Sequence, residues 1–138
     1  VKTPASLRGF EDVLLSERER LFIEQGGPRN KATLNFNHVM GALESDLKII
    51  RYGAQTLGTF SGTANGVPNA YYAPKTSADL ALTWAFDRNT KLTVGGSNLF
   101  NVKPSKQDAN ETDNGFIYDS VQFGLNGASY FVRFWKRF

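Results

Sequence analysis

Gly127-Ala128-Ser129-Tyr130-Phe131-Val132-Arg133-Phe134-Trp135-Lys136-Arg137-Phe138 is the stretch on which the reading of this chain turns. Side chains alternate across an extended strand. Counting by twos puts Ala128, Tyr130, Val132, Phe134, Lys136 and Phe138 on one face, and Ser129, Phe131, Arg133, Trp135 and Arg137 on the other. The first set is mostly apolar; the second mixes cations with aromatics. An unprotected aromatic strand at the end of a soluble sheet invites edge pairing and aggregation. A membrane barrel accommodates it, because such a strand is hydrogen-bonded on both sides and lays its apolar face against lipid. The competing reading is a C-terminal strand of a soluble sheet with Phe138 tucked into a core.

Working back from the terminus, the same period of two recurs. Lys91 to Phe100 sets Leu92, Val94, Gly96 and Phe100 against Thr93, Gly95, Ser97 and Leu99. Lys75 to Phe86 sets Ala78, Leu80, Leu82, Trp84 and Phe86 against Ser77, Asp79, Ala81, Thr83 and Ala85, and Asp87-Arg88-Asn89-Thr90 joins the two as a tight turn. A strand starting near Asp46 runs to Tyr52, with a possible continuation through Thr56 to Phe60, and Gly41 to Ser45 connects it to an alternating run over Lys31–Met40. Residues 61–74 and 101–120 are rich in Gly, Pro, Asn and Asp and read as long loops. Residues 1–30 do not alternate; Phe10, Leu14, Glu17 and Leu21 lie at helical spacing, and about two turns of helix are expected near Asp12 to Leu21, before the break at Gly26-Gly27-Pro28.

The 138 residues suffice for one domain, and 41% apolar with 21% charged residues is a folding composition. No apolar run is long enough for a membrane helix, which leaves barrel strands open because alternation dilutes them. Cysteine is absent, so thiol chemistry and disulfides are excluded. A net charge of +3 is too mild to argue for nucleic acid, and no basic run is interleaved with stacking aromatics.

Connection lengths carry the topological argument. After the first strand they run short, long, short, long. Outer-membrane barrels alternate short periplasmic turns with long extracellular loops. With a periplasmic C-terminus both long loops fall outside, and residues 1–30 belong to a further extracellular loop. Five strands cannot close a bacterial barrel, which takes an even number and at least eight. The fold expected is therefore all-β: an antiparallel up-and-down meander of about five long strands, an incomplete C-terminal segment of a large transmembrane β-barrel, with a short helix near the N-terminus. The division expected is an extracellular-loop segment over 1–30 and barrel strands over 31–138. Taken alone, such strands form an open, curved sheet with a bare edge at each end. Trp84, Phe86, Phe134 and Phe138 fall near the periplasmic interface, and Phe36, Phe100 and Tyr130 nearer the outer one or in the apolar band; a soluble aromatic core explains the same residues about as well.

Leu92-Thr93-Val94-Gly95-Gly96-Ser97-Asn98-Leu99-Phe100-Asn101 followed by Pro104 resembles the penultimate strand of TonB-dependent outer-membrane receptors, which typically ends in Asn-Leu-Phe-Asn or Asn-Leu-Phe-Asp with a nearby Pro. The terminal strand, with Tyr130, Val132, Phe134 and Phe138 as its assembly signal, is similar to that family's C-terminal aromatic strand. Lys75 to Leu80 is similar to the family's preceding strand, and Glu24 to Lys31 resembles the entry to an earlier one. Lys136 departs from the pattern, where an aromatic or apolar residue is usual; a lysine there snorkels to the interface.

The resemblance implies a barrel of about 22 strands closed by an N-terminal plug. It implies active uptake of a scarce ligand (siderophore, corrinoid or glycan) across the outer membrane of a Gram-negative cell. The implied partners are outer-membrane lipid, the rest of the barrel and its plug, the barrel-assembly machinery, and TonB through N-terminal parts these residues do not include. A passive porin fragment and a soluble all-β binding module are the alternatives.

No enzyme is expected. His38 is the single histidine, the serines lack a plausible base, and no cofactor or metal is expected. Asp108, Glu111, Asp113 and Asp119 cluster in a loop without the spacing of a calcium-binding hand. Gly95-Gly96 lies within a strand and marks a bend or close packing. Tyr71, Tyr72, Asn110, Asn114, Phe116 and Tyr118 are loop candidates for ligand contact at the barrel mouth. Arg133, Arg137 and Asp79 have lumen parity and are candidates to pair with one another or with a plug.

Overall fold

The computed structural model describes residues 4–5, 8–10, 15–119 and 121–138. Its elements, in order, are α1 (Glu17–Gln25), β1 (Lys31–Met40), β2 (Leu43–Tyr52), β3 (Gln55–Leu57), β4 (Ala70–Tyr72), β5 (Lys75–Asp87), β6 (Thr90–Ser97) and β7 (Ser129–Lys136). They divide into two units. One is a sheet unit over Lys31–Arg51, Lys75–Lys103 and Asn126–Phe138; the other is a loop unit over Val1–Asn30, Tyr52–Pro74 and Pro104–Leu125.

The sheet unit is a five-stranded meander in the order β1-β2-β5-β6-β7. The two-residue link Gly41-Ala42 leaves room only for antiparallel pairing, and Gly41 takes the positive φ of 60° that such a tight turn needs. The Ala85 N–H donates to Ala42 O, which sets the far end of β5 beside the start of β2. β5, β6 and β7 pair antiparallel in sequence, with one register shift between Ala85 and Asp87. Leu82 faces Val94, which faces Val132; Trp84 faces Leu92, which faces Phe134. Leu80, Gly96 and Tyr130 complete the same face. The opposite face carries Ala81, Gly95 and Phe131, then Thr83, Thr93 and Arg133, with the two threonine hydroxyls 2.9 Å apart. Gly95 and Gly96 are where a side chain has no room. A methyl group on Gly95 would sit 2.7 Å from the Phe131 ring, and one on Gly96 would sit 2.7 Å from that of Tyr130.

The edges β1 and β7 have one strand neighbour each, and every residue of both is exposed. The alternation differs between strands: β2 keeps the ordinary one, with Leu43, Leu47 and Ile49 half-buried and Ile50 buried while Glu44, Asp46, Lys48 and Arg51 are exposed, whereas β5 and β7 invert it. Along β5 the large apolar Leu82, Trp84 and Phe86 are exposed, while the small Ala81, Thr83 and Ala85 between them are half-buried. Along β7, Val132 and Tyr130 are each 72% exposed against 39% for Phe131 on the other face.

Several boundaries differ from those expected. The second strand begins at Leu43, because the turn takes only Gly41 and Ala42. It does not continue through Thr56–Phe60. The chain breaks after Tyr52, and Gln55–Leu57 pairs instead with Ala70–Tyr72 in a separate two-stranded ribbon. β6 ends at Ser97, so Leu99 and Phe100 are not strand residues. Asn98 and Asn101 turn the chain with φ of 49° and 51°, and the Asn98 side chain closes a ring by donating to Val102 O and accepting from Val102 N–H. The Asn-Leu-Phe-Asn motif is thus a turn, and Asn101 Oδ1 accepts from the Ala128 N–H at the approach to β7. β7 stops at Lys136, leaving Phe138 beyond the strand and fully exposed. Asp79 accepts from the Asn98 N–H at 2.8 Å, which is the partner found for it in place of an arginine.

The helix is Glu17–Gln25; residues 12–14 of the expected helix lie outside the described residues. Its start is set by a capping box. Ser16 accepts from the Glu19 N–H while the Glu19 carboxylate accepts from the Ser16 N–H, which holds the Glu19 carboxyl below its usual range. The charged Ser16–Arg20 run is therefore the helix start and not its middle. Gly26 ends it, as the Gly-Gly-Pro break implies.

Candidate functional site

The loop unit has its own small core of Leu57, Ala70 and Tyr72, with Val121 packed against it. The β3–β4 register places Gln55 opposite Tyr72 and Leu57 opposite Ala70, so these four share the inner face while Thr56 and Tyr71 share the outer. Gln122 staples the open end of the ribbon by donating to Gly53 O at 2.7 Å and to Ala73 O at 3.1 Å. The inner face is not wholly apolar. Burial, followed by the hydrogen-bonded Asp119 carboxylate, pushes the Tyr72 phenol up to about 12. Gln55, 3% exposed, has neither amide atom hydrogen-bonded, and Thr59 Oγ1 and Asp119 Oδ2 are buried without partners too. Native interiors rarely leave so many polar atoms unmatched in so small a volume.

Arg18, on the first turn of α1, ties the three segments of this unit together. Its Nε donates to Gly58 O at 3.1 Å, one terminal nitrogen meets Asp113 at 2.5 Å, and its guanidinium lies 4.0 Å over the Phe60 ring. Gly58 is required by this approach, since a Cβ there would come within 2.8 Å of Arg18 Cα. Nearby, the Thr63 hydroxyl donates to Glu17. Ser61 donates from both its N–H and its hydroxyl to Glu111, holding that carboxyl below its usual range.

Clefts open among the described residues of the loop unit, two of which bear on the site. The first, about 270 Å³, is lined by Ser16, Glu17, Arg18, Gly58, Thr59, Phe60, Gly62, Thr63 and Asn69. The second, about 250 Å³, is lined by Gln25, Arg29, Ala54, Gln55, Thr56 and Tyr71. Of the expected loop candidates, Tyr71 is exposed and lines the second cleft, while its neighbour Tyr72 is 1% exposed and belongs to the core. Asn110 is used locally, donating from its backbone and amide nitrogens to Asp108. Asn114 spans its own loop, donating to Tyr118 O and accepting from the Phe116 N–H. Phe116 projects outward and Tyr118 is half-buried. The first cleft holds none of these six. Its residues were missed because they belong to segments far apart in the chain, although Ser16-x-x-Glu19 was a legible helix start.

Among the described residues no group of three His, Cys, Asp or Glu side chains is placed to hold a metal, and no helix is long and apolar enough to cross a membrane. No family model matches the chain, and no curated protein or solved structure matches it either.

Proposed function

We propose that this chain is the C-terminal part of an outer-membrane receptor of the TonB-dependent kind, taking up a scarce ligand by active transport. The observation that carries the reading is the inverted alternation of β5 and β7. Leu82, Trp84, Val94, Val132 and Phe134 form one continuous apolar face that stays exposed, while the other mixes Ala81, Thr83 and Thr93 with Lys91, Phe131, Arg133 and Trp135. Lipid solvates such a face without cost, whereas water does not. Strands of 10, 10 and 13 residues in β1, β2 and β5 reach the about 9–11 residues needed to cross a bilayer at a tilt, and β6 and β7, at 8 each, fall just short. The two bare edges fit continuation into further strands, and the long connections fall at one end of the meander, as external loops do. Uptake of a ligand rests on the resemblance of the Asn98–Asn101 turn, Pro104 and the terminal strand to that family.

The two tryptophans test the reading. Trp84 is paired with Leu92 on the apolar face, and Trp135 with Lys91 on the other. In the full chain reconstituted with brominated phospholipid, single-tryptophan variants should show strong quenching of Trp84 and little of Trp135. A chain that stays monomeric in buffer without detergent, with both tryptophans indifferent to the brominated lipid, overturns the proposal in favour of a soluble binding module.

A further inference from the structure

We propose that Asn126 is a site of spontaneous covalent modification, converting to aspartate and isoaspartate through attack by its own backbone, and that the change loosens the entry to β7. The chain holds three Asn-Gly pairs: Asn65-Gly66, Asn114-Gly115 and Asn126-Gly127. In such a pair the glycine amide nitrogen attacks the asparagine Cγ. A C–N bond forms, the Cγ–Nδ2 bond breaks, and ammonia leaves carrying the proton from the glycine nitrogen. Water then opens the cyclic imide at one or other carbonyl, giving aspartate or isoaspartate. Glycine permits the approach because it has no Cβ in the way and reaches backbone angles closed to other residues.

The reaction needs two groups loose at once: a backbone N–H outside any hydrogen bond, and a side chain able to turn its carbonyl carbon onto that nitrogen. Two of the pairs fail on both counts. The Asn65 side chain donates to Ser61 O, and the Gly66 N–H donates to Thr63 O at 2.9 Å. The Asn114 side chain donates to Tyr118 O and accepts from the Phe116 N–H, and the Gly115 N–H donates to Thr112 O at 3.3 Å. Asn126 differs. Among the described residues nothing hydrogen-bonds its side chain or the Gly127 N–H, and Asn126 is exposed to the water that the second step consumes.

The consequence follows from the place. Gly127, at a φ of 67°, lies so close to Asn101 that a Cβ on it would come 2.5 Å from Asn101 Oδ1, and that same oxygen accepts from the Ala128 N–H at 3.2 Å. This contact aligns the chain for the first pair of β7, Ser129 with Ser97. Isoaspartate routes the main chain through the former side-chain carbon, which lengthens it by one atom beside the contact, and either product adds a carboxylate there. β7 has one strand neighbour, so no second ladder holds its start in place.

The test warms the full chain at mildly alkaline pH in detergent micelles and follows each asparagine by peptide mapping with electron-transfer fragmentation, which separates isoaspartate from aspartate. Asn126 should convert faster than Asn65 and Asn114 by about fivefold or more, the factor for one hydrogen bond that must open first. In urea that lead should collapse. The aged chain should lose hydrogen-exchange protection over Ser129, Tyr130 and Phe131, while Asn126→Gln, whose longer side chain closes the imide ring poorly, should keep it after the same treatment. Equal rates at the three sites in the folded chain, a lead that persists in urea, or equal protection in the aged chain and the variant each overturns the proposal. None of these readouts depends on the membrane reading, whose failure shows separately in the tryptophan quenching.

Discussion

Tyr72 and Val132 are both strand residues with large side chains, yet one is 1% exposed and the other 72%. The difference runs through the two units to which they belong. The loop unit follows the logic of a water-soluble protein: Leu57, Ala70 and Tyr72 turn inward, and charged residues such as Arg18, Asp113 and Glu111 bind its segments from outside. In the sheet unit β5 and β7 reverse it, with Ala81, Thr83 and Ala85 more sheltered than Leu82 and Trp84, and Phe131 more than Val132, while β2 keeps Ile50 buried. One chain thus carries two opposite relations between side chain and solvent, and its boundaries fall where alternation gives way to Gly, Pro and Asn. The teaching is that burial is a statement about the medium. A valine left open to water would be a liability, and the same valine facing hydrocarbon is at rest.

The comparison is most exposed to attack at Tyr72. Tyr72→Ala should cost about 3–5 kcal/mol, as for other large buried aromatics, and should melt the loop unit while the sheet keeps its strand signal. Hydrogen exchange resolved by segment checks it: loss of protection over Gln55–Leu57 and Ala70 with β5–β7 intact is the expected outcome. Collapse of both units together would mean that they are not separate in stability.

Next in size is a pair of lysine substitutions one residue apart on β6, Val94→Lys and Thr93→Lys. On the proposed membrane reading, a lysine on the apolar face near mid-bilayer costs about 2–4 kcal/mol, whereas one on the other face meets a polar interior. The fraction of chain inserted into vesicles should fall sharply for Val94→Lys and little for Thr93→Lys. Equal effects would erase the distinction between the faces.

The smallest effect is a titration. The Tyr72 phenol is raised from 10 to about 12, so the folded loop unit favours its neutral form. A raised group contributes stability that is fully present below its unfolded value and lost as pH climbs through the folded one. The loop unit should therefore hold up to about pH 10 and weaken between there and about pH 12, and Tyr72→Phe should remove that part of the decline. Ultraviolet difference spectra of phenolate formation follow it.

How much of this was legible depended on how local the determinants are. The alternation of β1 and β5 lies within each strand, so their ends fall within a residue of those expected. Periodicity could not see that Leu99 and Phe100 leave the strand, because the cause is the positive φ of Asn98 and its side-chain ring to Val102. The loop unit was illegible for a different reason. Its core joins Leu57, Ala70, Tyr72 and Val121 across polar stretches that each read as loop, and Gln122 reaches back to Gly53. Tyr72 looked like a ligand contact for the same reason: nothing beside it in sequence reveals that Gln55 and Leu57 pair with its strand. Arg18 gave no sign in sequence of the three segments it holds.

The two glycines in β6 have a bearing on assembly. Each surrenders its own volume to an aromatic ring of the last strand, Gly95 to Phe131 and Gly96 to Tyr130. Slide β7 by two positions and those rings arrive over Thr93 or Ser97, and over Val94 or Asn98, where side chains already fill the space. The final ribbon can therefore lock home in only one alignment, and a notch without side chains acts as the keyway that tells the terminus where to stop.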